Sequence, residues 1–177
     1  MTVPLETGDS PMIWLKANIA FLIVSIVSAA VLVLWWWPRL PAEIPLHFDQ
    51  NMVPDNVVSS TEFVWTYLAI QFGCLVVFVG LAVGVRYLPV SLINLPHREY
   101  WLTGERRPKT LNWISGMLLL MASAELWLVM GICHVCVQYA RGKVADLGTS
   151  LWLMIGLFLA LCAGLVIYLL FRFRKPV

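Results

Sequence analysis

Cys133-His134-Val135-Cys136 places two thiols and an imidazole within one helical turn. Zinc and copper take three or four converging nitrogen and sulfur ligands, so Cys133, His134 and Cys136 with His47 as a further ligand form a candidate soft-metal or thiol redox site. Around a helix His134 points about 100° away from Cys133, so these groups cannot face one ion equally. The competing reading makes the thiols small apolar side chains. Glu125 is the second candidate: a carboxyl inside an apolar run with no Lys or Arg at its depth, expensive there if ionised. It is expected to be a neutral acid, either polar glue to a neighbouring helix through Ser25, Ser28 or Gln71, or the proton-carrying group of a carrier. The third group is His47, Asp49 and Asp55, candidate ligand-binding residues in a stretch rich in proline. His47 has two roles open to it, ligand contact and a hydrogen bond to backbone that pins a turn. No Ser-His-Asp order, phosphate-cradling glycine loop or zincin helix is present, so no catalytic residues are assigned and a non-enzymatic protein is expected. Apart from a metal, no cofactor is called for, and no nucleic-acid partner is indicated.

The elements that must position these groups follow from composition. The 177 residues are 60% hydrophobic and 12% charged, with a mean hydropathy of +0.82. A chain this apolar has the bilayer as its solvent. Four runs, residues 13–37, 63–87, 111–138 and 151–171, are each long enough for a hydrocarbon core of about 30 Å. Only helices cross that core without closing a barrel, so the fold class is all-α integral membrane, an up-down bundle of four transmembrane helices. The first run ends in Trp-Trp-Trp-Pro-Arg rather than in small residues, which makes it a retained helix and not a cleaved signal. All four cysteines fall inside runs, so they provide no loop disulfide framework.

Lys16, Arg86, Arg98, Arg106, Arg107, Lys109, Arg172, Arg174 and Lys175 fall on the side shared by the termini and the middle loop, against Arg39, Arg141 and Lys143 on the other. The positive-inside rule then puts both termini in the cytoplasm. Residues 1–12 read as a cytoplasmic tail, 38–62 and 139–150 as outer loops, 88–110 as a basic, aromatic cytoplasmic loop and 172–177 as a basic tail. Within the first outer loop, Pro41, Pro45 and Pro54 forbid a continuous helix and predict extended pieces joined by turns over 40–55. In the middle loop Tyr100, Trp101 and Leu102 are expected to dip into the headgroups beside basic residues that attract anionic lipid. Gly73, Gly80 and Gly84, and Gly156, Ala160 and Gly164, form small-residue faces expected to pack within the bundle.

Leu40-Pro-x-x-Ile-Pro-x-His-Phe-Asp49, followed by Pro54-Asp55, resembles domain of unknown function 1648, a short module on a membrane hairpin of bacterial membrane proteins. The middle-loop run with Asn94, Pro96, His97, Tyr100 and Trp101, then Arg106 and Arg107, is similar to a second motif of the four-helix members. The resemblance implies an inner-membrane protein of immunity, sensing or accessory-subunit type, related to proteins that protect a cell from a secreted peptide toxin. A peptide or a membrane protein would then be the partner, and the outer loop the recognition element. This chain carries Met52 and Asn56 where the pattern usually has glycine, and Met52 would be strained at a turn position requiring positive φ.

Overall fold

The computed structural model describes residues 10–144 and 147–174; of the tails expected at 1–12 and 172–177, residues 1–9 and 175–177 lie outside them. Among the described residues four helices are long and apolar enough to cross a membrane. They are α1 (Ser10–Trp36), α2 (Ser60–Gly84), α4 (Arg106–Ala140) and α5 (Leu147–Arg172); a single turn, α3 (Arg98–Trp101), precedes α4. At 1.5 Å per residue the 27 residues of α1 span about 40 Å and the 35 of α4 about 52 Å, so α4 projects beyond a bilayer core.

The all-α expectation acquires one addition. Residues of the loop between α1 and α2 form an antiparallel hairpin, β1 (Glu43–Phe48) and β2 (Pro54–Ser59). Pro38 stops α1, whose last residues pass into a 3₁₀ turn, Trp37–Arg39. The start of α2 is set by Ser59, whose Oγ accepts from the Glu62 backbone N–H at 3.2 Å, while Glu62 places an acid in the first turn. At the far end of α4, Gly142 adopts φ 68°. There the Gly142 N–H bonds to Tyr139 O at 2.8 Å and the Lys143 N–H to Gln138 O at 3.0 Å, a Schellman close.

The helices are arranged around α4 rather than around a shared axis. α1, α2 and α5 each pack principally on α4, which carries more buried residues than any other element, whereas α5 buries only Leu147 and Leu151. One cluster, Leu22, Ala82, Leu119, Ala122 and Leu126, fills the middle of the α1, α2 and α4 contact. The glycine faces are not part of it. A Cβ at Gly73, Gly80, Gly84, Gly156 or Gly164 would meet nothing within 4 Å, so packing inside the bundle is not their role. In a membrane a small-residue stripe and a lipid-facing stripe look alike in sequence, because lipid tails are as apolar as a helix neighbour.

Candidate functional site

The hairpin stands directly on the helix ends. Ile44, with 0% exposure, and Val58 point down into Trp36 of α1, Phe63 of α2, and Cys136 and Val137 of α4. Alternation exposes Glu43 but is broken after Ile44, since Pro45 is buried too and His47 is the next exposed residue of β1. Pairing runs from Glu43 opposite Ser59 to Phe48 opposite Pro54, with irregularities either side of His47. Leu46 is left without an opposite residue on β1 and Asp55 on β2, and such bulges re-aim side chains. Their result is a close pair: His47 Nδ1 lies 2.6 Å from Asp55 Oδ1, with the two side chains 69% and 47% exposed. His47 therefore bonds across the strands to a carboxylate and not to backbone.

Asp49 is built into the turn. Its Oδ1 accepts from the N–H groups of Asn51 and Val53, both at 2.8 Å, and its own N–H bonds to Val53 O at 2.9 Å. The Val53 and Asn51 donors hold its carboxyl below the ordinary value of 3.8. This is an Asx turn, so the residue's first task is shaping the loop. Met52 takes φ 61°, so it does occupy the left-handed position that glycine would fill without strain. Its side chain packs beside Phe48 and Tyr139 on Val135, Leu147 and Leu151, fastening the tip of the hairpin to α4 and α5.

The Cys-His-Val-Cys run lies under the hairpin, but its groups do not converge. Cys136 is 5% exposed and sits in the apolar cluster with Cys133 against it. His134 Nδ1 accepts from the Trp36 indole N–H at 3.3 Å, and its Nε2 faces the Gln138 side-chain amide at 3.2 Å. Since the indole can only donate, Nδ1 accepts and Nε2 carries the ring proton, which Gln138 receives with its amide oxygen turned toward the ring in place of its nitrogen. His47 is committed to Asp55. Among the described residues no three His, Cys, Asp or Glu side chains are grouped to hold a metal ion.

At the other end, the middle loop folds into a cap with its own core. Val85, Ile93, Leu95, Leu102, Leu111 and Phe173 are buried together. Leu102 is 2% exposed, which corrects the expectation that it dips into headgroups: the loop's apolar residues satisfy one another first. Trp101 donates from Nε1 to Phe173 O at 2.9 Å, and Arg172 lies 5.4 Å from the Trp113 ring centroid. Arg106 donates to Tyr100 O at 2.8 Å and covers the Tyr100 ring at 4.0 Å. Arg107 reaches Leu88 O at 3.5 Å. Asn94 and His97 are exposed, Pro96 half-buried, and His97 adopts φ 52° at the start of α3. The Glu99 backbone N–H first, and then Arg98 beside it, hold the Glu99 carboxyl below its usual range.

Glu125 is 9% exposed, close to the midpoint of α4. Neither the Ser25 hydroxyl nor the Gln71 amide N–H groups bond to it. Ser25 instead bonds to Phe21 O at 2.8 Å and accepts from the Trp127 indole at 3.1 Å, and Gln71 gives its amide N–H groups to Tyr67 Oη at 3.1 Å and Leu126 O at 3.2 Å. The Cys74 thiol on α2 lies beside the Glu125 carboxyl. Tyr67, Gln71 and Cys74 recur at helical spacing on α2, a polar stripe visible in sequence only once its facing acid is known.

Residues 24–72 match the family model described as domain of unknown function (DUF1648). The match runs from α1 through the whole hairpin into α2. No curated protein and no solved structure matches the chain.

Proposed function

We propose that this four-span membrane protein carrying DUF1648 is a non-enzymatic protein of immunity, sensing or accessory-subunit type in which the hairpin is the recognition element. The observation that carries the reading is the His47–Asp55 pair, exposed on a hairpin whose opposite face is anchored on three helices. A histidine–carboxylate pair offers donors and acceptors to a polar ligand, and the neighbouring Val53 and Val57, 56% and 49% exposed, offer apolar contact. An extended peptide or the outer loop of a membrane protein has this mixture of groups. In this reading the protein lies in the bacterial inner membrane with both termini cytoplasmic and the hairpin outside. The exposed Arg106 and Lys109 at the opposite end then face anionic headgroups.

Two experiments test the proposal in cells. Reporters active only outside the cytoplasm should be active when fused at Asn51 or Gly142 and silent at Gly104; the reverse pattern would turn the hairpin inward and end the reading. A photo-reactive side chain at Val57 should then crosslink to a discrete external peptide or membrane protein. That adduct should disappear in His47→Ala and Asp55→Ala proteins that still insert and fold. A crosslink indifferent to both substitutions removes the pair from recognition.

A further inference from the structure

We propose that the interior between α2 and α4 is a proton-binding site at mid-membrane, holding one exchangeable proton on Glu125 and sharing it with the Gln71 side-chain oxygen. The argument is an inventory of donors. Gln71, 5% exposed and near the centre of α2, has used both amide N–H groups, on Tyr67 and on the Leu126 carbonyl. Its Oε1 is buried with no partner, and so is Glu125 Oε2. Both belong to the α2–α4 contact: the residue that receives the Gln71 amide, Leu126, is next to Glu125 in the chain, and Glu125 faces Cys74 on the same stripe of α2 as Gln71.

An ionised carboxylate has acceptors only, which would leave two orphaned acceptor oxygens together in a water-poor interior. One proton removes both defects. Placed on Oε2 it turns an acceptor into a donor, and it supplies the Gln71 oxygen with the donor it lacks. No competing cation is at hand, since Glu125 makes no ion pair among the described residues. The titratable side chains in its field are Tyr67 and Cys74 from α2. From α1, across α4, comes Ser25, which is already bonded to Trp127.

Infrared spectroscopy on the full chain in phospholipid vesicles at neutral pH tests this directly. Glu125 is the one buried acid among the described residues, so a protonated-carboxyl carbonyl band reports on it even if Glu125→Gln fails to fold. The expected result is such a band, shifting when the folded protein is moved into D₂O, and moving to higher frequency in Gln71→Leu, where the acid has lost its acceptor. Carboxylate bands alone at neutral pH would overturn the proposal. A band that ignores Gln71→Leu would overturn the sharing, putting a water or the Tyr67 hydroxyl between the two oxygens. A band that never shifts in D₂O would show a locked proton, and the site would not be an exchanging one.

Discussion

The indole N–H of Trp36 bonds to Nδ1 of His134 at 3.3 Å, and the two rings lie nearly parallel at 5.9 Å, joining the end of α1 to α4 beneath the hairpin. Trp36 is 1% exposed, so removing the acceptor leaves a buried donor with nothing to bond. His134→Leu should cost about 1–3 kcal/mol in thermal or denaturant unfolding. In a double-mutant cycle with Trp36→Phe the two losses should fall short of additive by about 0.5–3 kcal/mol. With Nδ1 engaged and Nε2 protonated, added zinc should not raise the unfolding midpoint. A zinc-dependent rise that His134→Leu abolishes would reinstate the metal reading.

Glycines in this chain divide into two kinds by what surrounds them. A Cβ at Gly116 would stand 2.3 Å from the Trp14 indole nitrogen, which itself donates to Trp113 O at 3.3 Å. Gly116→Ala should therefore destabilise by about 1–3 kcal/mol as α1 is pushed from α4. Gly80→Ala and Gly156→Ala meet open space and should be neutral or gain up to about 1 kcal/mol from helix propensity. Loss of stability in either of those two, measured in vesicles, would mean that another molecule occupies the face.

Met52 carries both a backbone penalty and an anchoring side chain, and two substitutions separate them. Met52→Ala and Met52→Gly both remove the contact with Leu147 and Leu151, but only glycine relaxes φ 61°. The glycine variant should be more stable than the alanine variant by about 1–2 kcal/mol. Equal stabilities would show that the turn readjusts to another conformation.

The pH dependence of the hairpin follows from Asp49. Its carboxyl is held below 3.8 by backbone donors, so the folded turn binds its proton less readily than the unfolded chain does. The stabilisation is thus fully present above 3.8 and is lost as pH falls through the lower folded value. Protease cleavage near Asn51 should rise only in that acidic window, and Asp49→Asn, which keeps an acceptor oxygen, should flatten the dependence. Enhanced cleavage beginning near neutrality would contradict this.

Much of the fold could be read from residues, for a physical reason. Hydrocarbon imposes one solution on an apolar run, so the four spans follow from length alone, and Pro38 marks the end of the first. Pro41, Pro45 and Pro54 excluded helix from the first loop, but they did not reveal that its extended pieces pair, because bulged pairing depends on which residues rest on Trp36 and Phe63. Within the membrane, side-chain periodicity loses its force: the glycine stripes of α2 and α5 look like packing seams, yet face outward. Glu125 was conspicuous by its charge. Its thiol partner was not, since Cys74 resembles any small apolar residue until its facing acid is placed.

There is no linker between β2, which ends at Ser59, and α2, which begins at Ser60. The hairpin and the helix are therefore one rigid rocker, fixed at the join by the Ser59–Glu62 bond and by the Ser60 N–H on Ala42 O at 3.1 Å. A load on His47 and Asp55 has no slack in which to dissipate and becomes a torque on α2. One inserted residue at this join would turn the helix by about 100° relative to the hairpin, carrying Gln71 away from Leu126 and Glu125. The phase of the helix is thus geared to the register of the strands.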